Sequence, residues 1–192
     1  MLKTFLTILL LAAPSFAQQT PNWEFFAGYT LQRTNVRDYY KSTPTIYSVR
    51  NRYENLDGWQ FSITENMNGR FGGTLELAGH YKTVPLLGTN STQHMHSILY
   101  GPRVSFPKSI FIPYAQTLFG VARADVRVKP VGPHLFATSF AVAAGGGLDI
   151  RLTPQAAVRV LQAEYLHANA LGRNQNHYRA SAGIVFHVGR NK

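Results

Sequence analysis

Apolar and polar residues alternate over stretches of about ten residues, and such stretches return along the whole chain. In GWQFSITEN (58–66), Trp59, Phe61 and Ile63 share one face of an extended strand, and the polar residues between them share the other. Successive side chains of a strand point to opposite sides of its sheet. The pattern therefore predicts an all-β fold whose sheet has one apolar and one polar face.

Eight segments carry this alternation, and the links between them are short and long in turn. Residues 66–70, 107–109 and 153–155 are short links rich in turn-forming residues. Every long link then falls at one end of the sheet, and the short links and both termini fall at the other. Bacterial outer-membrane barrels have this asymmetry, with short periplasmic turns and longer outside loops. The segments are 23–33, 58–66, 71–81, 94–106, 110–123, 137–152, 156–166 and 177–188, and the long links are 34–57, 82–93, 124–136 and 167–176.

Two of the segments are less regular than the others. The alternation is weak in 110–123, and the pattern does not assign its faces. The segment 156–166 breaks phase between Arg159 and Gln162, which predicts a β-bulge.

Side-chain volume decides which face points inward. The interior of an eight-stranded barrel is only just wide enough to be filled by side chains. Trp23, Trp59 and Phe61, with their apolar partners, would overfill it, whereas the polar face carries many glycines and serines. An apolar outer surface of this size requires lipid, and a closed barrel satisfies every backbone hydrogen bond there. We therefore expect an eight-stranded antiparallel transmembrane β-barrel, an up-and-down meander with both termini periplasmic.

Charged residues on the inward face would meet in a confined lumen. Because desolvating an ion costs several kcal/mol, such charges need partners. We expect a structural plug of salt bridges, and a gated solute path is the alternative. The expected lumen network consists of Glu24, Glu76, Arg103, Asp149, Arg151, Arg159, Glu164 and Arg179.

The first residues of the chain predict export. Lys3 precedes an apolar run at 5–13, and Ser15-Phe16-Ala17 forms a small-x-small cleavage site. We expect a signal peptide at 1–17 and a barrel domain at 18–192. The chain has no cysteine, so neither disulfides nor a lipid-bearing cysteine are expected.

The chain is basic, with a formal net charge of +10. Basic charge often indicates nucleic-acid binding, but the predicted export argues against that partner. Anionic lipid head groups or lipopolysaccharide phosphates suit the charge better, and a spread of solvated charges is the alternative.

Few residues suggest a metal, a cofactor or chemistry. His94-Met95-His96 places two imidazoles on one strand face, but no third ligand is marked. We interpret these histidines as interfacial residues near a loop and expect no metal and no cofactor.

The first long link, 34–57, concentrates tyrosine and basic residues, which binding surfaces use. It is a candidate for recognition of an external partner or of lipopolysaccharide phosphates, and a solvated loop that extends the barrel wall is the alternative. The candidate binding residues are Arg37, Tyr39, Tyr40, Lys41, Tyr47, Arg50, Arg52 and Tyr53.

The stretch GGGLDIRLTPQAAVRVLQAEYLHANALGRNQNHYRASAGIVFHV (145–188) resembles the last three strands of the OmpA/OmpX-type small outer-membrane barrels, the porin family of single-domain β-barrels. The resemblance implies insertion by the barrel-assembly machinery, which reads an alternating last strand that ends in an aromatic residue. Phe186 is here followed by six more residues. Since the chain stops at Lys192, no peptidoglycan-binding domain is expected.

Some barrels of this kind are lipid A deacylases with a His-x-Ser element on a late strand. The comparable stretch here, His167-Ala168-Asn169-Ala170, lacks the serine, and without its hydroxyl no acyl-enzyme can form. We therefore expect a monomeric, non-enzymatic protein of the bacterial outer membrane with a structural, envelope-integrity role. Adhesion or ligand binding through the outside loops is the second hypothesis, and a narrow solute channel is the third.

Overall fold

The computed structural model describes residues 21–41, 47–86, 89–129, 134–170 and 173–189. The predicted signal peptide lies outside the described residues. No helix within these ranges is long and apolar enough to cross a membrane. The strands are β1 Trp23–Lys41, β2 Tyr47–Asn66, β3 Phe71–Leu86, β4 Thr89–Ser105, β5 Phe111–Lys129, β6 His134–Arg151, β7 Ala156–Ala170 and β8 Arg173–Val188.

Each strand pairs antiparallel with the next along the chain, and β8 pairs with β1, so the sheet closes into a barrel. This confirms the predicted eight-stranded antiparallel meander. The ends of the described chain meet at the short-turn end, where Trp23 lies opposite Val188. The turn after β2 forms because Asn68 Oδ1 accepts hydrogen bonds from the backbone N–H groups of Arg70 (2.9 Å) and Phe71 (2.8 Å).

The prediction of long loops is wrong in one respect, because most of their residues extend the strands. The expected link 34–57 is nearly all hairpin: β1 continues to Lys41, β2 begins at Tyr47, and these two residues lie opposite each other. Backbone pairing needs no particular side chain, whereas apolar alternation is needed only where one face meets an apolar medium. The alternating segments therefore mark the apolar band of the barrel rather than the full strands.

The outward face carries the large apolar side chains, as predicted. Trp59, Phe140 and Phe186 are exposed on the outer wall, whereas Gln60 and Ser181 are buried inside. Many outward aromatic residues lie at the short-turn end or seven to ten residues further along the strands, and others, such as Tyr100 and Phe119, lie between these levels. The first level includes Trp23, Phe71, Phe106, Phe111 and Phe186, and the second includes Trp59, Tyr81, Tyr165 and Tyr178.

The faces of β5, which the pattern left open, are assigned by the structure. Ile112, Tyr114 and Leu118 are buried in the lumen, and Phe111 and Phe119 are exposed outside. Both faces of this strand are apolar, and for this reason its alternation is weak.

The predicted bulge in β7 is confirmed. The β7–β8 register shifts between Arg159 and Gln162. Val160 and Leu161 both lie exposed on the outer wall, while Arg159 and Gln162 both remain buried. Residues three positions apart lie on opposite faces of a regular strand. The extra residue therefore lets both Arg159 and Gln162 point into the lumen.

The interior is not uniformly polar, so the expected polar lumen is only part of the arrangement. A buried apolar cluster occupies the inner wall of β4 to β7 and includes Leu99, Leu118 and Leu166. Alanines fill the spaces between these side chains, because larger residues would not fit the narrow interior. The members are Met95, Leu99, Leu118, Ala122, Ala141, Ala143, Leu166 and Ala168.

Candidate functional site in the barrel lumen

The lower ion cluster lies near the short-turn end of the lumen. Asp149 on β6 is held by Arg159 on β7 through two hydrogen bonds, Nε to Oδ1 at 2.8 Å and Nη2 to Oδ2 at 3.0 Å. Arg103 on β4 lies between Asp149 and Glu24 on β1, with its Nη2 atom 3.2 Å and 3.3 Å from their carboxylate oxygens. Two guanidiniums thus balance two carboxylates, and all four side chains are buried.

Aromatic rings hold the two guanidiniums of the lower ion cluster in place. The Tyr114 ring contacts both, with Arg103 Cζ 3.7 Å and Arg159 Cζ 4.6 Å from its centroid. Phe26 contacts Arg159 as well, at 4.2 Å. A desolvated guanidinium is attracted by a ring face, so these contacts supplement the ion pairs. The phenol O–H of Tyr114 donates to Gln162 Oε1 (2.8 Å).

The upper ion cluster lies above the lower one and contains more acid than base. Arg179 Nη2 on β8 is 2.6 Å from Glu76 Oε1 on β3 and 2.7 Å from Glu164 Oε2 on β7. Arg179 and Glu164 are opposite each other in the β7–β8 register. Glu76 reaches Arg179 from the other side of the barrel, so this ion pair crosses the lumen.

Glutamine amides satisfy the remaining carboxylate oxygens of the upper ion cluster. Gln60 Nε2 donates to Glu76 Oε2 (2.6 Å), and so does Gln162 Nε2 (3.1 Å). Gln116 Nε2 donates to Glu164 Oε1 (2.8 Å). Hydrogen bonds from neutral donors compensate two buried carboxylates that share one guanidinium.

Seven of the eight residues of the predicted lumen network lie in these two clusters. The eighth, Arg151, is half-buried and makes no ion pair with another described residue. Sequence reasoning missed Gln60, Gln116 and Gln162, whose amides hydrogen-bond the upper ion cluster, and Gln162 also bonds Arg159 and so joins the two clusters. Their signal was present, since each occupies a polar-face position, but they carry no charge and were not selected.

A third polar group lies further toward the long hairpins. Gln32 Nε2 donates to Met95 Sδ (2.9 Å) and lies 3.4 Å from His177 Nδ1. Thr34 Oγ1 is 2.9 Å from the same ring nitrogen. With the apolar cluster beside it, this group continues the filling of the lumen above the ion clusters.

The candidate binding residues lie on the β1–β2 hairpin rather than in a loop. The register places Arg50 opposite Asp38 and Arg52 opposite Val36. Tyr53 is exposed, and the Arg33 guanidinium stacks over its ring at 4.6 Å. For Arg37, Tyr39, Tyr40, Lys41, Tyr47, Arg50 and Arg52 the structure describes the strand backbone, and their side chains lie outside the described part.

The two histidines of His94-Met95-His96 point away from the lumen. Their rings contact the outward Tyr81 ring edge to face, with centroids 5.2 Å and 5.5 Å apart. Met95, between them, is buried inside. Within the described residues, no three His, Asp or Glu side chains gather as metal ligands.

Strand number, closure, an apolar outer wall and a filled interior together define the fold class, which is that of the small outer-membrane β-barrels. No protein-family model and no curated protein sequence matches the chain.

Solved structures show what the chain is similar to. Ail of Yersinia pestis, the attachment invasion locus protein, in complex with the heparin analogue sucrose octasulfate, aligns with a TM-score of 0.60 and 15% identity, over 87% of this chain and 99% of Ail. Neisserial surface protein A aligns with a TM-score of 0.63 and 12% identity, over 85% and 96%. OprG of Pseudomonas aeruginosa aligns with a TM-score of 0.54 and 10% identity, over 90% and 98%. At such identities the likeness concerns the fold.

Proposed function

We propose that this protein is an integral outer-membrane β-barrel with a structural, envelope-integrity role and no catalytic activity. The observation that carries the proposal is the filled lumen. Glu24, Arg103 and Asp149 close its lower part, and Glu76 and Arg179 join opposite walls above them. A solute would have to displace fully desolvated ion pairs, and breaking a buried pair costs about 3–5 kcal/mol.

Insertion into a bilayer is supported by the dimensions of the apolar wall. Ten residue steps separate Phe71 from Tyr81 on β3. At roughly 3.3 Å per residue and a tilt of roughly 40°, they rise about 25 Å, the height of the apolar band of outer-membrane barrels. Heat-modifiable gel mobility of the purified protein in detergent tests this placement, since a folded membrane barrel migrates differently before and after boiling.

We expect the protein to show no steady conductance in planar lipid bilayers. The measurement is single-channel current after insertion of the refolded barrel. The matched control is a variant with serine at Arg179, Glu76 and Glu164, which removes the upper ion cluster and should raise the current above that of the natural sequence. Regular current steps from the natural sequence would contradict the structural role and favour a narrow solute channel.

Binding of a polyanion by the β1–β2 hairpin is the second candidate function. Four basic residues, Arg37, Lys41, Arg50 and Arg52, lie on this hairpin beyond the apolar band. The chain as a whole is basic. Ail, a barrel of similar fold, has been crystallised with a heparin analogue. Basic residues on a paired hairpin suit a sulfated or phosphorylated polymer.

For this second candidate, we expect glutamine at Arg37 and Lys41 to lower the salt concentration that elutes the folded barrel from heparin–agarose. The matched control carries glutamine at Arg127 and Lys129 on the β5–β6 hairpin. If the two variants elute alike, general basic charge rather than the β1–β2 hairpin is responsible, and the second candidate fails.

A further inference from the structure

A basic and aromatic patch lies on the outer wall of the barrel, apart from the lumen and from the β1–β2 hairpin. It consists of Tyr81 on β3, His94 and His96 on β4, and Arg123 on β5, and is called the His–Arg patch below. The Tyr81 ring contacts both imidazoles, and His96 lies opposite Arg123 in the β4–β5 register. Phe136 on β6 supports the Arg123 guanidinium, with Cζ 4.8 Å from the ring centroid.

The height of the patch on the wall is fixed by the strands. Tyr81 lies ten steps above Phe71, and His96 lies ten steps above Phe106 at the short-turn end. Each interval spans about 25 Å along the barrel axis, so both residues lie where the apolar band ends. The head groups of the outward-facing leaflet lie at this level.

The surface directly below the patch is apolar. Ile98, Val121 and Phe140 are cross-strand neighbours on β4, β5 and β6, and all three are exposed on the outer wall. Two residues further along each strand, on the same face, lies the row of His96, Arg123 and Thr138. A ligand that fits both rows has an acyl chain below and a hydrogen-bond acceptor above.

The charges of the patch favour an anionic acceptor. Arg123 makes no ion pair with any carboxylate among the described residues, and Phe136 holds its guanidinium against the wall. An acidic residue, Asp125, stands opposite His94 in the register, so the cationic centre lies at Arg123 and His96. A guanidinium donates two parallel hydrogen bonds to a phosphate, and an imidazole N–H adds a third.

We propose that the His–Arg patch binds a phosphate group of a phosphorylated glycolipid of the lipid A type in the outer leaflet. The acyl chains of this lipid cover the row of Ile98, Val121 and Phe140. A soluble phosphate would leave that row uncovered, and this difference favours a lipid. The inference rests on the membrane placement proposed above and adds a specific lipid site to it.

The test measures how much lipid A remains bound to the folded barrel. The protein is reconstituted in phosphatidylcholine nanodiscs that contain a small fraction of bisphosphorylated lipid A, released into mild detergent, and analysed by native mass spectrometry. The test variant combines His96→Gln with Arg123→Gln. The matched control combines His167→Gln with Arg33→Gln, which removes the same residue types from the wall of β7 and β1.

We expect the test variant to retain roughly fivefold less lipid A than the natural sequence. This ratio corresponds to the loss of one or two ionic hydrogen bonds at an exposed site. The control should retain as much as the natural sequence. The natural sequence should retain roughly fivefold less dephosphorylated lipid A than bisphosphorylated lipid A. This last comparison needs no substitution and keeps the inference testable if the test variant folds poorly.

Three outcomes would overturn the inference: equal retention by the test variant, equal loss in the control, or equal retention of dephosphorylated lipid A. A parallel sample contains phosphatidylglycerol in place of lipid A. Retention of phosphatidylglycerol as strongly as lipid A would assign the patch to anionic phospholipids and would overturn the choice of lipid A. Heat-modifiable mobility is recorded for each sample. Its absence in the natural sequence would contradict the membrane placement, whereas its presence without lipid retention would contradict only the lipid site.

Discussion

Replacing Arg179 with alanine is expected to lower the free energy of unfolding of the barrel by about 3–5 kcal/mol. The Arg179 guanidinium lies within 2.7 Å of carboxylate oxygens of both Glu76 and Glu164, and all three side chains are buried. Without the cation, two carboxylates face each other in a desolvated lumen with only glutamine amides as donors. Urea unfolding of the refolded barrel, followed by tryptophan fluorescence, measures the loss.

Two companion variants separate the ion pair from general charge effects. Arg151→Ala removes a half-buried arginine outside both ion clusters, and it should cost less than about 1 kcal/mol. A triple variant, Arg179→Met with Glu76→Gln and Glu164→Gln, should recover most of the lost stability, because a neutral set leaves no unpaired charge. An Arg179→Ala barrel as stable as the natural one would show that the upper ion cluster contributes little to the fold.

Gly183→Val is expected to destabilise the barrel by about 3 kcal/mol or more, or to prevent folding. Gly183 on β8 lies opposite Gly28 on β1, at the seam that closes the sheet. A Cβ atom at Gly183 would collide with the carbonyl oxygen of Ala27 and would lie 2.5 Å from Gly28 Cα and 2.9 Å from the Phe26 ring. Backbone atoms cannot retreat from a new methyl group without opening the seam.

The neighbouring alanine provides the matched control for this substitution. Ala182 is exposed on the outer wall, so Ala182→Val enlarges a side chain in the same strand without entering the lumen. The fraction of protein with heat-modifiable mobility after refolding measures both variants. Equal folded fractions for Gly183→Val and Ala182→Val would show that the barrel can fold with a side chain at position 183.

Much of the lumen could be predicted from the sequence because side-chain direction along a strand follows a period of two. Glu24, Asp149 and Arg179 were placed inside by counting residues from the apolar positions around them. The partners across adjacent strands, such as Glu164 and Arg179, also follow from the register. The Glu76–Arg179 pair does not, since it joins β3 to β8 and exists only because the sheet is closed.

The apolar half of the interior illustrates the other limit of pattern reasoning. Leu99, Leu118 and Leu166 are buried in the lumen although they are apolar. A binary pattern assigns every apolar side chain to the lipid face, so it has no means of identifying apolar residues that pack against each other inside. For the same reason β5 could not be assigned. The hairpins beyond the apolar band were mistaken for loops because backbone pairing there needs no apolar alternation.

The sequence alone determined the number of strands, their order and the face that bears the aromatic residues. It also determined that the first and last strands have their outer ends at the short-turn end of the barrel. These properties depend on local periodicity and turn residues, which act over a few positions. Only the tertiary structure decided which charges pair across the lumen and how glutamines complete the network. Those contacts join strands distant in the chain, and closure of the barrel with its stagger fixes which residues stand at the same height.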